Sequence, residues 1–278
     1  MQTIRVATIN LWGDQPPLEA RMRGLADGLG ALDADLIALQ EVRQIPGVLP
    51  NQAETLARAL GMNCRFAVAT PNVSFGHCGD EGLALLSRFP FAAQSIEREL
   101  PHATADERRI LLGAIVETPA GALAAFTTHL TYRLTDGLKR EDQVAAAEAL
   151  VAETPSDLPK VWMGDFNAAP EADEIRFLRG LHSLAGRRVF YQDAFAAMHP
   201  GEDGFTWARA NPHVERLRWL APDRRIDYIF VSAERRDGRG RVQGCRIALD
   251  RPDASGCFPS DHFGLVAEVR VAPLDPPG

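Results

Sequence analysis

Short apolar runs rich in β-forming residues recur along the whole chain, and several of them adjoin a cluster of polar side chains. Residues 161–163 run into Gly-Asp-Phe-Asn at 164–167, and Ser-Asp-His-Phe-Gly at 260–264 opens the apolar run 265–269. An α/β scaffold usually holds its catalytic groups at strand ends, where rigid elements position exposed polar side chains. The chain is therefore expected to carry a functional site at the ends of its strands.

Helical segments alternate with these runs. The first is indicated by apolar residues that recur with the spacing of one helix face, namely Leu18, Met22, Leu25 and Leu29. A second helix is predicted from the capping residue Asn51 to the terminator Gly61, and a third, rich in alanine, over residues 136–153. Pro-Ala-Gly at 119–121 indicates a hairpin turn between two strands.

Strands are predicted at residues 4–9, 36–39, 65–69, 83–86, 111–117, 123–127, 161–163, 226–231, 242–249 and 265–271. Because helices separate some strands while others form hairpins, we expect mixed sheets covered by helices, in the α/β or α+β class. No linker rich in serine, glycine or proline divides the 278 residues. A single domain, 1–278, is the resulting prediction.

Three more polar strings stand at predicted strand ends: Thr-Ile-Asn-Leu-Trp at 8–12, Leu-Gln-Glu at 39–41 and Arg-Ile-Asp-Tyr-Ile-Phe at 225–230. Residues 80–87 and Thr-Thr-His-Leu at 127–130 fit the same pattern. In this order the strings resemble the endonuclease/exonuclease/phosphatase superfamily over nearly the whole chain. The resemblance implies a four-layer sandwich of two packed mixed β-sheets flanked by helices, with a cleft at one edge. It also implies a metal-dependent phosphoric ester hydrolase.

Glu41 is the leading candidate for a metal ligand. Mg²⁺ prefers carboxylate oxygen and keeps several waters, so one or two protein carboxylates suffice. Taken alone, Glu41 is equally well explained as a helix cap or a salt-bridge partner. The resemblance implies that Asn10 joins it through its amide oxygen, and that Asp261 does so directly or through water. The expected cofactor is Mg²⁺, with Mn²⁺ as a substitute.

Asp165 and Asn167 are candidates for the chemistry itself. Phosphoester hydrolysis requires on the order of 20 kcal/mol of barrier reduction, whereas one general acid or base supplies about 3–5 kcal/mol. A metal ion, hydrogen-bond donors and an oriented water must therefore act together. Two residues apart after a strand, the Asp165 carboxylate can activate a water and the Asn167 amide can donate to a phosphoryl oxygen. An Asx turn is the alternative.

Two histidines complete the predicted catalytic set. The resemblance implies that His262, with Asp227 in the same cleft, binds the phosphate or the attacking water, and that His129 lies near the leaving group or scissile phosphate. Glu81 is expected to brace an imidazole or to add a metal ligand. The sequence has no glycine-rich phosphate loop. Phosphate recognition is therefore expected from Asn, His and Arg side chains. Because the sequence also lacks the elbow signature of a serine nucleophile, direct attack of water on phosphorus is the expected mechanism.

Substrate contacts are less well defined by the sequence. Arg108 and Arg109 could bind a phosphate or could simply be solvated residues at a strand edge. Asn167 and His129 are further candidates for binding substrate. Between residues 193 and 225, groups that could either reach substrate or serve the fold are Asp193, Trp207, Arg209, Arg216, Arg218, Trp219, Arg224 and Arg225.

The acidic balance of the chain bears on its substrate. A formal net charge of −7 argues mildly against a long nucleic-acid tract, which usually needs a basic surface. The favoured prediction is a phosphodiesterase acting on a small-molecule or lipid-derived phosphate. A DNA or RNA endo- or exonuclease is the alternative, and a catalytically silent phosphate-binding module is a remote third.

The remaining predictions concern location. No apolar run approaches the roughly 20 residues of a membrane span, and the first residues lack a signal-peptide pattern. A cytoplasmic monomer is expected, with its four scattered cysteines as reduced thiols. The 30 basic residues are almost all arginine, which points weakly to a bacterium with a GC-rich genome.

Overall fold

Two mixed β-sheets pack face to face in the computed structural model of this chain, which describes residues 2–73, 78–215 and 221–274. Within these ranges the strands are β1 (Thr3–Asn10), β2 (Leu36–Gln44), β3 (Asn63–Val73), β4 (Gly79–Ser87), β5 (Phe91–Glu99), β6 (Ile110–Thr118), β7 (Gly121–His129), β8 (Val161–Asp165), β9 (Tyr191–Asp193), β10 (Asp227–Ser232), β11 (Val242–Ala248) and β12 (Gly264–Arg270). The helices are α1 (Leu18–Leu32), α2 (Gln52–Leu60), α3 (Gly137–Glu153), α4 (Asp173–Leu178), α5 (Ala194–Met198) and α6 (Pro212–Glu215).

The first sheet has the strand order β11-β12-β1-β2-β4-β3, and α1 and α2 pack on its outer face. β1 and β2 are parallel because α1 connects them, whereas β12 and β4 run antiparallel on either side. Asn10 pairs with Gln40, so the end of β1 lies beside the middle of β2. The predicted cap of α2 is confirmed: the Asn51 side chain accepts the Glu54 N–H at 3.1 Å, and Gly61 ends the helix at a φ of 65°.

The second sheet, in the order β5-β6-β7-β8-β10-β9, repeats this arrangement. Here β7 and β8 are parallel and joined by α3, with β6 and β10 antiparallel beside them. His129 pairs with Asp165, and Asp165 pairs with Asp227 on its other side. Three neighbouring strands therefore present polar side chains at one edge of the sheet.

An apolar layer fills the space between the sheets, with Val6 and Leu36 of the first sheet buried in the same cluster as Leu112 and Met163 of the second. The outer faces bury two further apolar clusters beneath the helices, one under α1 and α2 and one under α3 and α4. Burial of apolar area on both faces of each sheet supplies most of the driving force for folding. The predicted four-layer sandwich is confirmed.

Two strands that the sequence did not reveal, β5 and β9, lie at the edges of the second sheet. β5 is largely exposed and carries polar residues such as Gln94, Ser95 and Glu97, so it lacks an apolar run. β9 has only 3 residues. The predicted hairpin is confirmed, because Thr118 pairs with Gly121 across the turn between β6 and β7.

The cysteine thiols are free, as predicted, at Cys64, Cys78, Cys245 and Cys257. Among the helices of the described ranges, none is long and apolar enough to cross a membrane. Three of the possible substrate contacts lie outside the described residues: Arg216, Arg218 and Trp219.

Candidate active site

The first half of the site lies where the end of β1 meets the middle of β2. Asn10 is fully buried, and its Nδ2 donates to Oε1 of Glu41 at 2.9 Å and to Oδ2 of Asp165 at 3.1 Å. Its amide oxygen, which was expected to reach a metal ion, accepts the N–H of Trp12 at 2.9 Å. In this arrangement Asn10 ties a carboxylate of the first sheet to a carboxylate of the second.

A bulge in β2 places Glu41 at the cleft. The pairing between β2 and β4 shifts register between Leu39 and Val42, and Glu41 adopts a φ of 52°, which is uncommon for a residue with a side chain. Bulges next to active sites re-aim individual side chains in this way. Glu81 of β4 lines the same cleft, so neighbouring strands contribute two carboxylates.

The second half of the site lies at the ends of β7 and β8. Oδ2 of Asp165 is 3.4 Å from Nε2 of His129 and 3.8 Å from Nε2 of His262. The N–H of Asn167 donates to Oδ1 of Asp165 at 2.8 Å, forming the Asx-type turn considered above. The Asn167 Nδ2 also donates to the carbonyl oxygen of Leu130 at 3.0 Å. Asp165 is therefore the carboxylate on which the polar groups of both sheets converge.

His262 is held by a carboxylate from β10. Its Nδ1 is 2.9 Å from Oδ2 of Asp227, while Oδ1 of Asp227 is buried and accepts no hydrogen bond from the described residues. The backbone N–H of His262 donates to Oγ of Ser260 at 3.1 Å, and that hydroxyl donates to the carbonyl oxygen of Asn10 at 2.6 Å. These bonds fix the imidazole with its Nε2 directed towards Asp165.

A cleft of about 450 Å³ opens over these groups. The predicted site residues that line it are Glu41, Glu81, Arg109, His129, Asp165, Asn167, Asp261 and His262. Asn10 and Asp227 are fully buried and contact this set through the hydrogen bonds above. Arg109 is the arginine of its pair that faces the cleft, whereas Arg108 forms an ion pair with Glu99 at the surface.

The carboxylates of Glu41, Glu81 and Asp261 interact with one another in the part of the cleft next to β2. Burial raises the pKa of Glu41 to about 8, and the charges of Glu81 and Asp261 add to the rise. Burial also raises the pKa of Glu81 and of Asp261. Desolvated like charges disfavour their ionised forms unless a cation compensates them. Because all the donors are oxygen atoms, this group suits a hard divalent cation such as Mg²⁺.

A second possible metal group consists of Asp165, Asp227 and His262, whose ligand atoms lie within 4.8 Å of one another. The unpaired Oδ1 of Asp227 leaves this group with one buried acceptor available to an ion or a water. Both groups are compatible with a metal-dependent site. The cluster of Glu41, Glu81 and Asp261 offers more oxygen donors for a hard cation. In the other cluster, Asp227 already holds the His262 imidazole by a hydrogen bond.

The groups around Asp165 differ in their proton affinity. Burial raises the pKa of Asp165 to about 6, and the charge of Asp227 adds to this rise. Burial lowers the pKa of His129 well below its ordinary value. For His262, burial alone would lower the pKa, but the charges of Asp227, Asp261 and Asp165, with the hydrogen bond to Asp227, together outweigh it, and the pKa rises well above the ordinary value. At neutral pH the site thus holds a neutral His129 beside a protonated His262, as acid–base pairs in active sites often do.

Two buried residues that support the site were not identified from the sequence. The first, Arg21 of α1, stacks on Trp12 at 5.0 Å. Its guanidinium donates to carbonyl oxygens of the loop after β1, at 2.6 Å for Leu11, 3.0 Å for Gly13 and 2.7 Å for Gln15. An arginine in an otherwise amphipathic helix gives no local signal of this role.

The second, Gln40, links the two sheets beneath the cleft. Its Nε2 donates to Oγ1 of Thr8 at 3.1 Å and to Oγ1 of Thr127 at 3.0 Å. All three side chains are buried, so each hydrogen bond replaces contacts with water that folding removes. The partner in the other sheet could not be known from the sequence.

The segment before β10 divides into residues that line the cleft and residues that stabilise the fold. Trp207 and Arg224 line the cleft. Arg225 is buried, and its Nη1 donates to both carboxylate oxygens of Asp193 at 2.9 Å. Asp193 also caps α5 by accepting the N–H of Ala196 at 3.2 Å. Asp193 and Arg225 therefore form a structural ion pair.

Comparison with known proteins identifies the family of this chain. The model of the Endonuclease/Exonuclease/phosphatase family matches residues 7–262, so the chain belongs to that family. Its members hydrolyse phosphoesters with the help of a metal ion, and the chain is accordingly a phosphoric ester hydrolase. No curated protein sequence matches the chain.

Solved structures show the same fold at low sequence identity. An endonuclease/exonuclease/phosphatase from Beutenbergia cavernae has a TM-score of 0.76 at 22% identity, over 97% of this chain and 72% of that one. TDP2 from D. rerio, complexed with single strand DNA product, has a TM-score of 0.74 at 22% identity, over 96% of this chain and 98% of that one. The human Nocturnin catalytic domain with bound sulfate anion has a TM-score of 0.70 at 21% identity, over 96% of this chain and 93% of that one.

Proposed function

We propose that this protein is a Mg²⁺-dependent phosphodiesterase that acts on a small-molecule or lipid-derived phosphate by direct attack of water on phosphorus. The observation that carries the proposal is the convergence of Asn10, His129 and His262 on one oxygen of Asp165 at the floor of the cleft. These residues come from distant parts of the chain, and a purely structural explanation would not require all of them to meet at one carboxylate.

Asp165 is the proposed general base. With its pKa raised to about 6, it is ionised at neutral pH yet retains enough proton affinity to accept a proton from a water. The Asn10 Nδ2 and the Asn167 N–H each donate to a different oxygen of Asp165 and so orient the carboxylate. A base held in this way deprotonates the attacking water as the bond to phosphorus forms.

The two imidazoles stabilise the negative charge that develops on the substrate in the transition state. Protonated His262, held by Asp227, donates a hydrogen bond from Nε2 to a phosphoryl oxygen, a preorganised interaction that strengthens in the transition state. His129 stays neutral because burial lowers its pKa, and it donates one hydrogen bond without adding a charge. We assign His129 to the leaving-group side, while Asn167 can offer its second amide hydrogen to the phosphate.

Glu41, Glu81 and Asp261 are the residues that would hold the metal ion, with Asn10 positioning Glu41. When bound, the ion acts as a Lewis acid that polarises a phosphoryl oxygen and offsets the negative charge of the carboxylates. The proposal of Mg²⁺, or Mn²⁺ in its place, is supported by the oxygen-only donor set of this group.

The size and charge of the cleft support a compact substrate. A volume of about 450 Å³ accommodates one phosphodiester with its two flanking groups, and the net charge of −7 does not favour a long polyanion. A DNA or RNA endo- or exonuclease is the second candidate. It is supported by the structural similarity to TDP2 complexed with single strand DNA product.

Turnover of bis(4-nitrophenyl) phosphate and of 4-nitrophenyl phosphate, with and without Mg²⁺ or Mn²⁺, tests the proposal. We expect metal-dependent hydrolysis of the diester at a higher kcat/KM than the monoester, and its loss in Asp165→Asn. Single-stranded and duplex oligonucleotides assayed in parallel distinguish the nuclease. Failure of the wild-type protein to hydrolyse any of these substrates with metal present would refute the proposal and favour a silent binding module.

A further inference from the structure

Among the described residues, three arginines line the cleft, and they differ in how their guanidinium groups are used. Arg43 donates to the carbonyl oxygens of Gly79 at 3.1 Å and of Val73 at 3.2 Å. Arg109 donates from both Nε and Nη2 to Glu107, at 3.1 and 3.0 Å. The guanidinium of Arg224 donates no hydrogen bond to any residue of the described ranges, and its Nε is buried.

The plane of the Arg224 side chain is nevertheless fixed, because it stacks on the indole of Trp207 at 5.1 Å. The backbones of the two residues pair: the Arg224 N–H donates to Trp207 at 2.9 Å and the Trp207 N–H donates back at 3.0 Å. Trp207 and Asp261 line the same cleft. A stacked guanidinium loses little further freedom when it forms hydrogen bonds through its edge.

The charges that act on Arg224 place it near Asp165 and Asp227. Burial lowers the pKa of Arg224, while the negative charges of Asp165 and Asp227 raise it. The arginine is thus close enough to the proposed general base to feel its charge, yet it donates to neither carboxylate in the described structure. A buried donor without a partner is costly, and a guanidinium that lines a cleft and donates to no described residue is available to a ligand.

We propose that Arg224, oriented by Trp207, is a substrate-binding residue that grips the non-bridging oxygens of the substrate phosphate beside Asp165. This inference rests on the proposed function and names one of its phosphate contacts. A planar guanidinium presents two parallel N–H donors that match two phosphoryl oxygens, which a lysine ammonium cannot do. Together with His262, Arg224 contributes positive charge for an anionic substrate in a cleft that also holds the carboxylates Glu41, Glu81 and Asp261.

The test compares Arg224→Gln and Arg224→Lys with wild type in hydrolysis of bis(4-nitrophenyl) phosphate and in binding of inorganic phosphate by calorimetry in the presence of Mg²⁺. Loss of one charge-assisted contact is expected to lower kcat/KM by about 10- to 100-fold and to weaken phosphate binding similarly. Arg224→Lys is expected to recover only part of the loss. Arg209→Gln is the matched control, because Arg209 belongs to the same segment but is exposed and pairs with half-buried Asp223.

The two proposals fail in different ways. If Arg224→Gln keeps the wild-type KM, kcat and phosphate Kd, the role of Arg224 is refuted while the phosphodiesterase stands. If wild type hydrolyses nothing but binds phosphate through Arg224, the reaction is refuted and the binding role stands. A lower melting temperature with unchanged phosphate affinity would show a merely structural role and also refute the inference. Arg224→Lys provides the comparison should Arg224→Gln fold poorly.

Discussion

Replacement of Asp227 by asparagine removes the charge that keeps His262 protonated while preserving the shape of the side chain. Nδ1 of His262 and Oδ2 of Asp227 are 2.9 Å apart in a buried site. Unit charges about 4 Å apart attract by about 4 kcal/mol at an effective dielectric constant near 20, which corresponds to about three pKa units. Because Asp261 and Asp165 also raise the pKa of His262, we expect a fall of about one to three units.

The sign of the effect can be read in the pH profile of kcat/KM. In wild type the acid limb reports ionisation of Asp165, whose pKa is raised to about 6, and the alkaline limb reports loss of the His262 proton above its raised pKa. The charge of Asp227 raises both pKa values, so Asp227→Asn moves both limbs to lower pH. Turnover at pH 8 is expected to fall by about tenfold or more and to recover partly on acidification.

Hydrolysis rates between pH 5 and 9 and histidine NMR titrations measure the two halves of this prediction. Asp142→Asn is the matched control, because Asp142 pairs with His102 at 2.7 Å on the surface, away from the cleft. Its pH profile should coincide with that of wild type. If His262 in Asp227→Asn still titrates at the wild-type pH, or if the alkaline limb does not move, the proposed coupling is refuted.

Further predictions concern the metal group, the link between the sheets and the arginine pair. Mg²⁺ should raise the melting temperature of wild type but not of Glu41→Gln in calorimetry, since the ion stabilises only a fold that binds it; an equal rise in both would contradict this. Gln40→Leu should lower the free energy of unfolding in urea by about 1–3 kcal/mol, because two buried threonine hydroxyls lose their partner. Arg109→Gln should reduce kcat/KM several-fold and Arg108→Gln should not, because only Arg109 lines the cleft; equal losses would place both in the site.

Much of the fold was predictable because its signals are local. Apolar runs predicted the central strands, and the cap at Asn51 and the terminator at Gly61 predicted α2, since these effects act over a few residues. The edge strand β5 was missed because its exposed side chains need no apolar pattern. Its pairing with β6 comes from the neighbouring strand, which no local signal can report.

The site was predictable in its members but not in its contacts. Polar residues at strand ends pointed to Glu41, Asp165 and His262, all of which line one cleft. The sequence offered no way to see that Asn10 bridges two carboxylates, or that Arg224 stacks on Trp207 while its neighbour Arg225 does not. In the latter case adjacent arginines have opposite uses, because backbone geometry directs them to different faces.

The amino-acid sequence by itself determined the family, the alternation of strands and helices, and the residue types available for phosphoester chemistry. These follow from side-chain hydrophobicity, backbone preference and order along the chain. The tertiary structure alone decided which carboxylates lie together, how burial and charge shift the pKa values of the two imidazoles, and which arginine of the cleft donates to no described residue. Those properties depend on burial and on distances of a few ångströms between residues up to 250 positions apart, such as Ser260 and Asn10.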